Sequence, residues 1–490
     1  QPELLRATKS FSNHKATGPD QIHITFLKKR TRCTLPILHT LLNTLWENEY
    51  IPTTLKERWI TPVIKVGKTG NYPKELRPVS LTSYIGKVFE KLLQYRLLTY
   101  LVRLQLISAE QFAYIPSRST QDCIIFLVDR LQRTLNKGLQ ANAVFFDFSS
   151  AFDTVQHQTL LWKLQHEYFI TGRFLNTLRS FLSNRRTAVK IGSIISTWQL
   201  DTVGVPQGGA LSPLLYVIYC DHFALINCLP NTYLGIFADD LCLFTDAPTP
   251  KLQQSALQRA IYFLQWYSLQ HGLCLNFDKT FQMVFKRHNL NDHTHPPLHF
   301  SSSLHNHFAR RYGLPSLTEN KSLKFVTQTK YLGVILNMDL TWKPHIDYVE
   351  KKCYKAFYTL NKNLKRLWRI HADIPWLILE TSVLSIMDYS SILWPLLNNS
   401  RRKQLNRVFN RVLRTVFHSV TGTNTIFLQH HLNTPDLNRR MALNNSKFFS
   451  RLIRCPRSGA LHQLLERDWW PVIQARNPYF GSALINDQIV

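Results

Sequence analysis

Two stretches decide the fold: Ala143-Val-Phe-Phe-Asp147, and Tyr233-Leu-Gly-Ile-Phe-Ala-Asp-Asp-Leu-Cys-Leu-Phe244. The first is a continuous apolar run closed by an acid, the pattern of a central strand buried on both faces with a carboxylate at its C-terminal end. The second sets two apolar runs around Asp239 and Asp240, which predicts a hairpin with two carboxylates at its tip. Acids in such surroundings need a reason, because two like charges about 4 Å apart repel by roughly 4 kcal/mol at an effective dielectric near 20. A cluster of Asp147, Asp239 and Asp240 stays ionised only if cations neutralise it. Oxygen-only donors suit hard divalent ions, and Mg²⁺ binds through one or two carboxylates plus substrate phosphates. Two such ions about 3.5 to 4 Å apart serve in-line phosphoryl displacement. Neighbouring strand residues point to opposite faces, so Asp239 and Asp240 cannot both face Asp147 unless a turn reorients one. Asp147 and Asp239 are therefore expected as the principal bridging ligands, with Asp240 in support.

Outward from these stretches, Ser149 to Asp153 is expected to open a helix with Asp153 as a capping residue. Residues 1 to about 60 read as helical, with Leu35, Leu38, Leu41, Leu42 and Leu45 on one face. Thr61-Pro-Val-Ile-Lys65 reads as a strand, followed by a Gly67 to Gly70 turn, Arg77-Pro-Val-Ser-Leu, and a helix carrying Val88, Phe89, Leu92 and Leu93. Residues 288 to 307 are rich in His, Asn and Ser. Their His293, His295 and His299 lack Cys or carboxylate partners at ligand spacing, which predicts a polar surface loop rather than a metal site. Beyond Lys343 the pattern is helical and basic. There Leu405, Val408, Phe409, Val412, Leu413 and Val416 share one face, and Lys403, Arg407, Arg411 and Arg414 the opposite one. Trp46, Trp59, Trp162 and Trp266 are expected to pack rather than to stack on bases.

Charge narrows the partner. Lys and Arg number 59 against 31 acids, a net +28 over 490 residues, and a polyanion is the natural counterweight to that self-repulsion. The eight cysteines form no Cys-x-x-Cys pair and read as buried thiols in a reducing, intracellular setting, nucleus or cytoplasm. No run approaches the roughly 20 apolar residues of a membrane span, no signal peptide is evident, and no membrane partner is expected. The opening on Gln1 in mid-sequence leads us to expect flanking domains beyond this stretch.

Taken in order, Asp147-Phe-Ser-Ser-Ala-Phe-Asp153, Gly204-Val-Pro-Gln-Gly-Gly-Ala-Leu-Ser-Pro213 and Phe237-Ala-Asp-Asp240 resemble the three central palm motifs of reverse transcriptases. The flanks resemble the non-LTR, LINE-like branch: Leu76-Arg-Pro-Val-Ser-Leu-Thr-Ser83, Gly86-Lys-Val-Phe-Glu-Lys91, Gln111-Phe-Ala-Tyr-Ile-Pro-Ser-Arg-Ser-Thr120, Asn276-Phe-Asp-Lys279 and Lys330-Tyr-Leu-Gly-Val334. Tyr389 to Trp394 and Arg407 to Arg414 resemble that branch's thumb and post-thumb helices.

The resemblance implies an α+β right hand: a helical extension over 1–60, fingers over 61–140, a ferredoxin-like antiparallel palm sheet within 141–344, a helical thumb over 345–425 and a helical tail over 426–490. It implies RNA-directed DNA polymerisation with two Mg²⁺ ions, Mn²⁺ serving as substitute, on an RNA template with a DNA primer or target DNA and dNTPs. The basic thumb helix would lie on nucleic acid. Asp147, Asp239 and Asp240 match the metal-binding acids, with the backbone carbonyl of Phe146 as a further ligand. Phe152 matches the steric gate against a ribose 2′-OH. Ser150 and Ala151 would lie under the triphosphate, Gln207 at the nascent base pair, and Lys65 and Arg77 on the triphosphate. Lys279 matches a lysine that protonates departing pyrophosphate, and Tyr331, Leu332 and Gly333 a hairpin that grips the primer end. Ile115 replaces an arginine common in relatives, which leaves Arg118 as that loop's expected phosphate contact. Gly209 stands where many relatives have Ser. Two other readings share these features: a silent RNA-binding or maturase-like remnant, and an RNA-dependent RNA polymerase, from which Phe152 distinguishes this chain.

Overall fold

The computed structural model describes residues 1–454 apart from positions 15, 30, 66, 288–294, 313 and 365–372. His293 and the tail beyond residue 454 lie outside the described residues. The strands that position the site are β1 (Arg58–Ile64), β2 (Leu76–Thr82), β3 (Ala141–Phe146), β4 (Arg185–Ile191), β5 (Thr232–Phe237), β6 (Asp240–Thr245), β7 (Phe281–Phe285), β8 (Lys324–Phe325), β9 (Gln328–Tyr331) and β10 (Val334–Asn337). Helices surround them, so the chain mixes helix and sheet as expected.

The central sheet runs β8-β7-β3-β6-β5. All its pairs are antiparallel except β7 with β8. Alternation along β3 and β6 sends Val144, Phe146, Leu241 and Leu243 into one buried cluster, shared with helices Tyr84–Arg103, Ser212–Cys220 and Pro250–Gln270. Ala143, Phe145, Cys242 and Phe244 enter a second cluster, with helices Thr120–Asn136, Lys343–Leu364 and Asn399–Val416. A strand covered on both sides must be apolar at every position except where a buried amide finds a partner. Asn142 shows this, accepting from Gln282 Nε2 at 3.3 Å. At the β5 edge the 110–112 segment adds backbone bonds, from Phe112 N to Ile236 O at 2.8 Å and from Ile236 N to Glu110 O at 3.0 Å. This leaves less of that edge open for a stray strand.

A second sheet is built on β2-β1-β4, with β1 and β2 antiparallel and β1 and β4 parallel. The sequence reading kept residues 141–344 together, whereas β4 leaves that unit to join β1. A buried charge helps to fix the join: Arg58 Nε donates to Thr187 Oγ1 at 2.6 Å and to Asp201 Oδ2 at 3.2 Å. Three local expectations are also corrected. Residues 148–153 form a two-residue strand paired with Cys274–Leu275 and then a 3₁₀ turn, with Ser150 at φ +52°, and the next helix starts only at His157. In the His-rich stretch His299–Phe300 is a strand against Lys321–Ser322, because Leu298 and Phe300 are fully buried. His295 bonds Gln140 Oε1 at 2.7 Å and His299 bonds the Tyr262 hydroxyl at 2.8 Å. Finally, Trp162 and Trp266 are exposed, as are Cys33 and Cys228, while Trp59 packs beneath Lys190 Nζ. No helix of the described residues is long and apolar enough to cross a membrane.

Candidate active site

β5 and β6 close on a two-residue turn, with Phe237 paired to Asp240 and Ala238 at φ +56°. A left-handed conformation costs a non-glycine residue roughly 1 to 2 kcal/mol, a strain that the flanking pairs hold in place. The turn parts the two acids. Asp239 acts electrostatically on Tyr216 and Cys220 in the first buried cluster, whereas Asp240 acts on Tyr331 and Cys123 in the second. On the neighbouring strand Phe146 pairs with Leu241, so one more step of the register leads to Asp147 and Asp240. Burial on the packed side, then repulsion from Asp147, pushes the Asp239 carboxyl up. Burial, then Asp239, then Asp147, pushes Asp240 to about 6. Three carboxylates therefore sense one another where the two strands end. Lys279 Nζ stands 3.3 Å from Asp147 Oδ2 and supplies positive charge there.

This donor set fits hard divalent cations: it is all oxygen, and its members repel until positive charge enters. No three His, Cys, Asp or Glu groups among the described residues are already gathered closely enough to hold a metal ion.

The floor beside Asp239 is aromatic. Phe152 stacks on Tyr216 with ring centroids 4.7 Å apart and planes at 19°. Gln207 Nε2 donates to Asp153 Oδ2 at 2.9 Å, so Asp153 is a partner of the Gly-rich loop and not the helix cap the local pattern predicted. Val205 N donates to Phe152 O at 2.8 Å, which ties the same two segments through the backbone. From behind, buried Glu90 Oε2 accepts from Ala210 N at 2.7 Å and Leu211 N at 3.4 Å. A Cβ on Gly209 would sit 2.8 Å from that oxygen and 2.7 Å from Ser212 Oγ, which explains glycine there in this chain.

A family model described as reverse transcriptase (RNA-dependent DNA polymerase) matches residues 65–336, more than half of the chain. The chain belongs to the reverse transcriptase family. Among its relatives is the probable RNA-directed DNA polymerase from transposon BS of Drosophila melanogaster, 25% identical over 92% of this chain and 48% of that protein. A second is the probable RNA-directed DNA polymerase from transposon X-element of the same fly, 25% identical over 90% and 46%. The chain thus spans about half the length of the curated relatives it matches. An apo telomerase structure from Candida tropicalis aligns over 50% of this chain and 53% of its own, at 14% identity and a TM-score of 0.36, too loose a likeness to carry an argument.

Around the acids of this reverse transcriptase, the other residues singled out from sequence fall into three groups. Phe152, Gln207, Ser150 and Ala151 belong to the two segments tied together beside Asp239, with Ser150 exposed and Ala151 buried. Lys65 and Arg77 are exposed on the β1–β2 hairpin. Val63 pairs with Arg77, so Lys65, two residues on, shares its face. Arg118 NH1 donates to Ser108 O at 2.6 Å and Gln111 O at 2.5 Å, so it also braces its own loop. Tyr331, Leu332 and Gly333 lie on the β9–β10 hairpin, and Tyr331 is its inward-facing member. It is buried with its hydroxyl 3.4 Å from Cys123 Sγ, and the tip of the β9–β10 hairpin is Leu332 and Gly333. Sequence reasoning did not assign roles to Tyr216, Glu90 or Tyr389. Glu90 lay inside a quoted motif, and its burial was the missing signal.

Proposed function

We propose that the chain is the RNA-directed DNA polymerase core of a non-LTR, LINE-like retrotransposon, extending a DNA primer with dNTPs on an RNA template inside the cell, in the nucleus or cytoplasm. In this reading the β2-β1-β4 sheet is the fingers, the central sheet the palm, and the helices from Lys343 the thumb. One observation carries it: the ends of β3 and β6 put Asp147, Asp239 and Asp240 in mutual repulsion next to a floor formed by Phe152 and Tyr216. Asp147, Asp239 and Asp240, with the Phe146 carbonyl, would hold two Mg²⁺ or Mn²⁺ ions, which when bound neutralise charge on the attacking and leaving oxygens.

The primer 3′-oxygen forms a bond to the α-phosphorus as the bond to the β-phosphate oxygen breaks. Pyrophosphate leaves, and the 3′-OH proton passes to water. Lys65 and Arg77 share a strand face suited to phosphate oxygens, Arg through its forked donors. Lys279, which stands 3.3 Å from Asp147 Oδ2, would give a proton to the departing pyrophosphate. Phe152, held flat on Tyr216, fills the space of a 2′-OH.

Primer extension on an RNA template tests this. Asp239→Ala is expected to lose extension while Phe152→Ala keeps it and gains ribonucleotide incorporation on the order of tenfold. Equal extension by wild type and Asp239→Ala would end the reading.

A further inference from the structure

Away from the acids, the N-terminal helix Pro2–Lys9 lies against helix Tyr84–Arg103 and leaves an open groove of about 860 Å³ beside the packed contact. Its lining combines Arg6, Arg96 and Arg103 with Tyr95, Tyr100 and Val102. The groove continues into a second hollow of about 550 Å³ that adds Lys9. Its charge is one-sided. Glu3 is the acid in the lining, and Arg96 takes it at 3.3 Å.

The centre is stranger than a solvated basic face. Arg6 and Lys91 both approach the Tyr95 ring, at 5.1 Å and 5.0 Å from its centroid, so two cations share one aromatic partner. Burial and then the Arg6 charge push the Lys91 ammonium down, and no carboxylate contributes to its shift. Arg6 thus lines the groove under repulsion from Lys91, which an anion bound in the groove would offset. A guanidinium lying on a tyrosine also offers its outer plane to a nucleobase, while Tyr100 and exposed Val102 give apolar surface for a sugar edge.

We propose that this groove binds the phosphodiester backbone of a single nucleic-acid strand, outside the polymerase cleft, with Arg6 and Arg103 on phosphates. The chemistry is shared by RNA and DNA strands. A bilayer surface is disfavoured because the cations line a concave channel rather than a flat face. The site stands independently of the polymerase reading, since it needs no dNTP or metal.

The test uses the full chain and labelled 20-nucleotide RNA and DNA strands of one sequence, read by fluorescence anisotropy over a salt series. Arg6→Glu with Arg103→Glu is expected to weaken binding about tenfold or more and to lower the slope of log K against log salt by about 1.4, two phosphates at roughly 0.7 each. Arg6→Gln with Arg103→Gln should fall between, which guards against a misfolded double variant. Extension of a preformed duplex with a recessed primer 3′ end and a short template overhang should match wild type in both variants. A loss in the RNA arm alone, or in both arms, supports the site, the former adding ribose recognition. Unchanged affinity in both arms overturns it, as does tighter binding to phosphatidylserine vesicles or polyglutamate than to either strand.

Discussion

Gln207 has two hydrogen-bonding ends, and the fold uses one of them. With Nε2 donated to Asp153, the carbonyl end of the amide is fixed in direction, and Asp153 is itself held near Arg58 in the second sheet. Asp153→Ala therefore frees the amide to flip. A lost partner of this kind costs about 1 to 2 kcal/mol, so KM for dNTP is expected to rise roughly tenfold with kcat changed less. Asp153→Asn keeps an oxygen acceptor and should recover most of the loss. Equal KM in Asp153→Ala and wild type would show that the bond is idle. The Asp240 carboxyl gives a pH prediction. Its folded value, about 6 against an ordinary 3.8, means that the charged form is disfavoured in the fold. The penalty is absent below pH 4, grows from pH 4 to 6 and is complete above 6. Asp240→Asn should thus raise Tm by roughly 1 to 2 °C at pH 7.5, a small gain because solvent screens the group, and leave Tm unchanged at pH 4. The same gain at both pH values in calorimetry would contradict it. The three acids could be read from sequence because a carboxylate after an apolar run is anomalous by itself. The role of Asp153 could not, because its partner lies 54 residues away and the nearby Ser-x-x-Asp spacing offered a local explanation.

The turns at Ala238 and at Leu332-Gly333 do the same work: each ends its hairpin abruptly in a two-residue tip. In the second turn Leu332 has φ +44° and Gly333 φ +82°, a left-handed pair that matches the twist of the flanking strands. Tyr389 braces it, donating its hydroxyl to Leu332 O at 2.6 Å and lying 3.0 Å from Thr120 Oγ1. A Cβ on Gly333 would come within 2.9 Å of Tyr389 Cε1. Gly333→Ala is expected to cost about 1 to 2 kcal/mol, from backbone strain and displacement of that ring. Tyr389→Phe should cost about 1 kcal/mol by losing the hydroxyl bond alone. If the hairpin holds the primer end, both variants raise the dissociation rate of primer–template while KM for dNTP stays put. A shift in dNTP KM without a change in dissociation would place the hairpin elsewhere. Elements with strong local signals were legible: all six apolar residues picked from 405 to 416 are buried on helix Asn399–Val416. β4 was not. Its pairing with β1 joins residues 129 apart, a contact that no periodicity announces.

At the scale of the whole molecule, the central sheet divides two cores, and the C-terminal helix Leu437–Arg454 ties the second core together by charge. Arg440 makes a forked bond to Asp388, through Nε at 2.9 Å and NH2 at 2.6 Å, and reaches Glu380 at 2.6 Å through NH1. Eleven residues later Arg451 NH2 lies 2.7 Å from both oxygens of Asp122, on the helix that backs the catalytic sheet. Net charge led us to expect a polyanion partner but did not announce that some arginines pair internally, since composition does not distinguish a phosphate contact from a latch. Asp122 is 1% exposed and its Oδ2 also accepts from Ser119 Oγ at 2.5 Å. Removing Arg451 leaves a buried carboxylate short of its counter-charge, so Arg451→Ala is expected to cost about 2 to 3 kcal/mol, below the usual range for a fully buried pair because Arg451 is 31% exposed. Removing both partners relieves that penalty. In a double-mutant cycle Asp122→Ala with Arg451→Ala should therefore cost clearly less than the two single losses summed, and Arg451→Ala alone should speed amide exchange across residues 437–454. Additive losses with unchanged exchange would mean that the helix is held by its apolar face alone, and that the ion pair contributes nothing to docking it on the catalytic half.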